Sequence, residues 1–367
     1  MAEYPLVSII ILNYNGYSKL GTLLFKNIES VLATDYPNFE VIFVDNGSTD
    51  GSVQTIAKIY GNNERMKVVK LDRNFGFAAG NNIGSKHIDA RCKYIVFLNN
   101  DTIVKRNWLA NLVQVMEEDP NIASAQSLIL TLDGKRIDGA GDFLDLYGYP
   151  IIRSHQELYK GQFNEVKEIF SARGAAMIVR RELFEKIGGF DEDFFAGLED
   201  VDLGWRLRLI GYKAVLVPTS ICYHLGSATI KHFKILSRAP SKNYLALIIK
   251  NYDIRNMLRY LPFPFLVYFL SLFRAIVMDR DAIIPIITQL IRSIVEVKKA
   301  LLKRAYVQKY RKIDDETIRS SMLKLNLFIF LFTMGLRWHI KYNSFTWEDF
   351  LVAQIKAHKE LRKLYGV

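Results

Sequence analysis

The sequence predicts an α/β fold: a mostly parallel sheet covered by helices on both faces, followed by a basic, helical appendage. Three observations predict it. Over the first 120 residues, short continuous apolar runs alternate with segments of helical periodicity, the pattern of strands buried on both faces and joined by crossover helices. The apolar runs end in short polar and glycine residues, as strands do that open into a shared cleft. Charge is also divided unevenly: residues 1–230 hold 24 Lys and Arg against 28 Asp and Glu, and residues 231–367 hold 25 against 10.

The elements follow in order. Val7–Leu12 is a buried strand. Leu20, Leu23, Leu24, Ile28, Val31 and Leu32 lie at helical spacing, and Asp35–Pro37 ends that helix. Phe39–Asp45 is a second strand, Gly51–Tyr60 a helix, Lys67–Leu71 a third strand and Ala78–Asp89 a helix. Tyr94–Leu98 is a fourth strand. Trp108, Leu109, Leu112, Val113 and Met116 mark an amphipathic helix that Pro120 closes. Residues 121–170, glycine-rich around Asp138–Gly148, read as loops and short antiparallel strands. Beyond them, Ala175–Val179 is a strand, Arg181–Ile187 and Glu199–Ile210 are helices, and Lys213–Val217 and Ile221–His224 are strands. A domain of residues 1–235 and a basic amphipathic region of 236–367 result.

Length and composition exclude other classes. At 367 residues with 24% charged side chains, the chain is too long for a small disulfide scaffold and too polar for an all-membrane protein. Its two cysteines, Cys92 and Cys222, suit a reducing compartment. The N-terminus lacks a basic n-region, and its apolar run is too short for a signal peptide, so residence in the cytoplasm is expected.

In a parallel sheet the ligand lies beyond the carboxyl ends of the strands. Those ends read Asn13-Tyr14-Asn15-Gly16, Asp45-Asn46-Gly47-Ser48, Arg73-Asn74-Phe75-Gly76 and Asn99-Asn100-Asp101. A nicotinamide fingerprint, Gly-x-Gly-x-x-Gly after the first strand, is absent there. With the later stretches GGFDEDFF at 188–195 and EDVDLGWRL at 199–207, the chain carries NYNG, VDNGSTDGS, NFGFAAGNN, FLNNDT and these two in that order. Together they resemble family 2 glycosyltransferases of the Rossmann-like GT-A fold, and most of all the rhamnosyltransferase-like subset.

The chemistry of such a transfer explains the residue types. Asp101, at a strand end among oxygen donors, suits Mg²⁺ or Mn²⁺ completed by substrate phosphates. The family pattern there is Asp-x-Asp; here the first position is Asn99, which leaves one fewer charge on the ion. Asp200, in the first turn of a helix beside Glu199 and Asp202, is the expected general base for an acceptor hydroxyl. The resemblance implies that His224 joins Asp101 at the metal or the diphosphate. It also implies that Asp45, Tyr14 and the backbone near Leu12 frame the nucleotide base, with Asn74, Gly80, Asn82, Asn99 and Glu199 as further donor-side residues. The partners expected are a nucleotide-sugar donor, either a dTDP- or a UDP-sugar, and a glycan or polyprenyl-linked acceptor. The alternative is a catalytically idle relative that binds saccharide or scaffolds a synthesis complex.

The back segment holds three apolar runs, Leu261–Phe273, Ala282–Ile291 and Leu325–Leu336, each short of the ~20 residues of a spanning helix. Pro262, Pro264 and Pro285 interrupt the first two, which disfavours spans and suggests helices in the interface or a shallow hairpin. Lys298, Lys299, Lys303, Arg304, Lys309, Arg311 and Lys312 form a cluster without an acid among them. An anionic membrane surface is the expected partner, on the inner face of the cell membrane, with a homo-oligomer interface as the other use of the apolar runs. The aromatic–basic interleaving of single-strand binders is missing, so nucleic acid is not expected.

Overall fold

The computed structural model describes residues 4–226, 243–278 and 280–324; the boundary drawn at residue 235 and the run Leu325–Leu336 lie outside them. The front half runs β1 (Val7–Asn13), α1 (Gly16–Leu20), α2 (Thr22–Leu32), β2 (Phe39–Asp45), α3 (Ser52–Tyr60), β3 (Met66–Lys70), α4 (Gly76–Ser85) and β4 (Tyr94–Asn99). Next come β5 (Thr102–Val104), α5 (Trp108–Glu118), β6 (Ile122–Thr131), β7 (Ile137–Gly139), β8 (Asp142–Leu144), β9 (Pro150–Ile152) and β10 (Lys167–Ile169). β11 (Ala176–Arg180), α6 (Arg181–Lys186), α7 (Glu199–Leu209) and β12 (Lys213–His224) complete the sheet region. The C-terminal part adds α8 (Asn243–Asn251), α9 (Ile254–Tyr260), α10 (Pro262–Met278), α11 (Ile283–Lys309) and α12 (Asp315–Ser320).

The main sheet is ordered β10-β12-β6-β11-β4-β1-β2-β3, with β5 on β12 and β7 on β6. β3, β2, β1 and β4 are parallel, as the apolar runs predict. β11 then enters antiparallel between β4 and β6, and β6 pairs parallel with β12. One apolar cluster lies on each face: Ile9, Phe43 and Val96 point to α2 and α5, while Ile10, Val44 and Phe97 point to α4 and α6. This is the alternation of successive strand residues between two covered faces.

Two readings of the sequence are corrected. Residues 122–131, taken as part of an irregular stretch, form the long strand β6 in the middle of the sheet, and all but its last residue are buried. Ser124, Gln126 and Ser127 interrupt its apolar text, but each of the latter two is satisfied inside. The hydroxyls of Ser127 and Ser220 lie 2.8 Å apart, and Gln126 accepts from the Arg173 N–H at 2.9 Å. The two strands read at 213–217 and 221–224 are one, β12, with a register shift against β6 at the break.

The C-terminal helices join the rest through a third cluster. Trp205 of α7 meets Tyr252 edge-on at 4.7 Å, and Leu245, Leu247 and Ile248 of α8 are buried with it. α10 and α11 fold back on each other as a hairpin, with the hydroxyls of Tyr268 and Ser293 2.8 Å apart. Pro262 does not interrupt a helix; it occupies the first position of α10, where its missing N–H costs nothing.

Candidate active site

Parallel register sets the carboxyl edge. Leu12 stands beside Val44 and Asn99, and Asn13 beside Asp45. Asp45 is fully buried. It accepts from Asn13 Nδ2 at 3.1 Å through one oxygen and from the Ser48 N–H at 3.1 Å through the other. It therefore shapes the floor beneath the cleft rather than lying open in it. Asn100 extends this net by donating to Asn13 Oδ1 at 2.8 Å. Asn74 Oδ1 accepts from Asn46 Nδ2 at 3.0 Å and from the Gly76 N–H at 2.8 Å, which fixes the turn into α4. Gly47 has φ +74°, and a Cβ there would come within 2.5 Å of the Arg73 backbone, so only glycine lets these two turns touch. Tyr14 is exposed at the rim, with Lys19 Nζ 4.6 Å from its ring centre.

Gly80 and Asn82 do not face the cleft. A Cβ on Gly80 would meet Leu12 Cδ1 at 2.7 Å, so this glycine serves the packing of α4 on β1. Asn82, two turns into the helix, donates to the Phe190 carbonyl at 2.8 Å and to Glu192 Oε1 at 3.1 Å. It ties down the loop that leads to α7.

The acidic centre is assembled by the antiparallel pairing of β5 with β12, which sets His224 opposite Thr102. His224 Nε2 then lies 3.1 Å from Asp101 Oδ1 and 3.4 Å from Asn99 Nδ2. Its Nδ1 donates to Asp138 Oδ2 at 2.8 Å. Burial disfavours the imidazolium, but hydrogen bonds to Asp101 and Asp138 outweigh it and push the His224 pKa up to about 9. Burial likewise opposes the Asp138 carboxylate, yet the His224 hydrogen bond and the Arg173 charge hold it down to about 2. Asp138 also presents its carbonyl to His155 Nδ1 at 2.8 Å and to Arg173 at 3.2 Å. Arg173 Nε lies 3.5 Å from Asp142, whose carboxyl is raised to about 7 by burial.

Asp200 completes the chain of contacts. Its Oδ2 accepts from the Gly174 N–H at 3.0 Å, next to Arg173, and its Oδ1 from the Val201 N–H at 2.8 Å. It is half-buried at the start of α7. Its two acidic neighbours are inside. Glu199 is buried, and burial with the adjacent Asp200 charge pushes its carboxyl well above the usual carboxylate range; it is not open to a donor. Asp202 is fully buried between Arg206 Nε at 2.7 Å and Lys250 Nζ at 2.8 Å. Lys250 also bridges to Asp191 and lies over the Phe194 ring. The loop 190–198 is thus held by α4 on one side and α8 on the other, and two of its residues, Phe195 and Leu198, have φ of 59° and 71°.

Of the sequence candidates, the structure brings Asp101, Asn99 and His224 together. Asp138 joins His224 to the Arg173–Gly174 turn, whose Gly174 N–H donates to Asp200. Asp138, Arg173, His155, Asp142 and Lys250 carry no motif and were missed. Without an ion His224 is an imidazolium between two carboxylates. A cation at Asp101 would have to displace the Nε2 proton, and the pair then fits an ion shared with substrate phosphates, which takes one or two protein ligands. Among the described residues no group of three or more His, Cys, Asp or Glu is gathered to hold an ion alone.

The family described as Glycosyl transferase family 2 matches residues 8–188. An uncharacterized protein, y4gI of Sinorhizobium fredii, is 31% identical over 63% of this chain and 26% of its own. The O-antigen biosynthesis protein RfbC of Myxococcus xanthus is 31% identical over 61% of this chain and 18% of its own. The chain thus spans about a quarter or less of the length of these relatives. Among solved structures, GalNAc-T7 with UDP, GalNAc and Mn²⁺ superposes with a TM-score of 0.55 at 20% identity, over 69% of this chain and 49% of that one. That likeness extends to the fold. With the matched motifs lying along the carboxyl edge of a GT-A sheet, residues 8–188 form a domain of the glycosyl transferase family 2 type.

Proposed function

We propose that the protein moves a sugar from a dTDP- or UDP-sugar to a hydroxyl of a lipid-linked or cell-surface glycan, with inversion at the anomeric carbon. The place is the inner, cytoplasmic face of the cell membrane, where the chain is held peripherally. The observation that carries this reading is that Asp101, His224 and Asp138 are joined side chain to side chain, and that Arg173, which donates to the Asp138 carbonyl, is followed by Gly174, whose N–H donates to Asp200. At one end is a pair suited to a diphosphate leaving group; at the other is a half-buried carboxylate suited to an acceptor hydroxyl. Asp200 takes the hydroxyl proton as the acceptor oxygen bonds to the anomeric carbon and the bond to the diphosphate breaks. Leu12, Tyr14, Asn74 and Asn99 border the donor. A divalent cation, Mg²⁺ or Mn²⁺, would be held by Asp101 and His224 and would neutralise charge on the leaving diphosphate. Asp138 fixes the imidazole so that Nε2 faces Asp101, the role of a carboxylate behind a ligating histidine. The O-antigen role in the name of the Myxococcus relative agrees with a polysaccharide acceptor of the rhamnosyltransferase-like kind.

Thermal unfolding with UDP, dTDP and GDP, each with Mn²⁺ or chelator, tests the donor. A ligand that binds only the folded chain raises Tm by mass action. UDP or dTDP with Mn²⁺ should raise it, and no rise with any nucleotide overturns the reading. A rise without donor hydrolysis would favour the idle relative. Asp101→Ala should weaken nucleotide binding and remove its dependence on Mn²⁺. Titration calorimetry of both proteins checks this, and equal binding in Mn²⁺ and in chelator excludes the metal role of Asp101.

A further inference from the structure

The hairpin of α10 and α11 has one face turned inward and one turned to solvent. Val267, Tyr268 and Ala275 of α10, with Ile286, Ser293 and Ala300 of α11, are buried. At helical spacing on the other side stand Phe265, Phe269, Phe273, Ile276 and Val277, then Ile284, Ile287, Ile291, Ile294 and Val295. Phe269 is 66% and Ile284 76% exposed. Lone exposed apolar side chains are ordinary, but a continuous two-helix face of them marks an interaction surface. The stretch Ile254–Val277 is long and apolar enough to cross a bilayer, and 28% of its most apolar 18-residue window is buried in the protein.

Charge decides between occupants. The exposed side chains around this face include Arg255, Arg259, Arg274, Arg280, Arg292 and Lys298, against a single exposed acid, Asp281, among the described residues of 254–298. A second copy would set this basic rim against its equal. An anionic leaflet complements it. The same charges also argue against crossing, because a spanning hairpin would bury Arg274 and Arg292 in hydrocarbon. The basic cluster read from the sequence contributes less than its count suggests. Lys303 bridges to Asp193 at 2.6 Å, Arg304 donates to the Ile249 carbonyl at 2.6 Å, and Arg311 pairs with Asp315 at 2.6 Å.

We propose that the outer face of the α10–α11 hairpin lies in the interface of an anionic bilayer, its phenylalanine and isoleucine side chains inserted and its arginines at the headgroups. The inference rests on the lipid-linked acceptor proposed above for its use, since such an acceptor presents its hydroxyl near the bilayer. Cosedimentation of the full chain with vesicles of phosphatidylcholine, with and without phosphatidylglycerol, tests it. Binding is expected to the anionic vesicles, weaker in high salt but retained, because exposed charges are screened and inserted apolar groups are not. The triple variant Phe269→Ser, Phe273→Ser, Ile284→Ser should bind about tenfold or more weakly, since each change removes a large apolar contact. Three results overturn the proposal: no binding to anionic vesicles at low salt, wild-type binding by the triple variant, or a solution dimer that the three substitutions dissociate. Nucleotide binding by the same samples keeps the two readings apart, because the donor site can stand while the bilayer contact fails.

Discussion

Asp200→Asn is expected to lower transfer by about 10²- to 10⁴-fold, the share that a placed general base supplies. The amide can still accept through its oxygen from the Gly174 or Val201 N–H, so the start of α7 should keep its place. It cannot take a proton from an acceptor hydroxyl. The strand-end residues that border the donor are contributed by β1, β3–α4 and β4, and none of them contacts Asp200 by a hydrogen bond. Nucleotide binding should therefore survive. Initial rates with saturating donor, set beside a nucleotide titration of the same variant, separate the two effects. Retention of a tenth of the wild-type turnover removes Asp200 from the role of base.

Lys250→Met should cost about 3–5 kcal/mol of stability, the usual result of deleting one partner of a buried ionic network. The ammonium is 1% exposed and joins Asp202, at 2.8 Å, to Asp191. Arg206 still faces Asp202, and Lys303 still faces Asp191, but the methionine leaves both carboxylates short of a charged hydrogen-bond donor inside the protein. Lys303→Met is the comparison. Its ammonium is 39% exposed, and an exposed partner is worth ~1 kcal/mol or less. Urea denaturation of both variants checks the difference. An unchanged midpoint for Lys250→Met would mean that α8 is not fastened to α7 through this lysine.

Much of the fold was legible. The runs Val7–Leu12, Phe39–Asp45 and Tyr94–Leu98 are strands because each is apolar at every position that a doubly covered sheet buries. The helix at Glu199 was legible from its acidic first turn. Strand β6 was not, because its serines and glutamine look like loop residues until their partners on β7, β12 and the Arg173 turn are known. The proximity of Asp101 to His224 could be named only through resemblance, since 123 residues separate them in the sequence. It is the β5–β12 register that makes it physical.

The sequence by itself determined the parallel half of the sheet, the carboxyl edge where the polar turns gather, and the opposed charges of front and back. These are local properties, written in side-chain period and composition. Tertiary structure alone decided which ionisable groups do what. Asp45 and Asp202 are enclosed and paired, Glu199 is enclosed with its pKa pushed up, and Asp200 remains half-open, although all four stand in similar polar text. It likewise decided that Lys250, Lys303, Arg304 and Arg311 face the protein while Arg280, Arg292 and Lys298 face water. The reason is that a charge is governed by its solvation and its nearest partners, and both are set by segments distant in the chain.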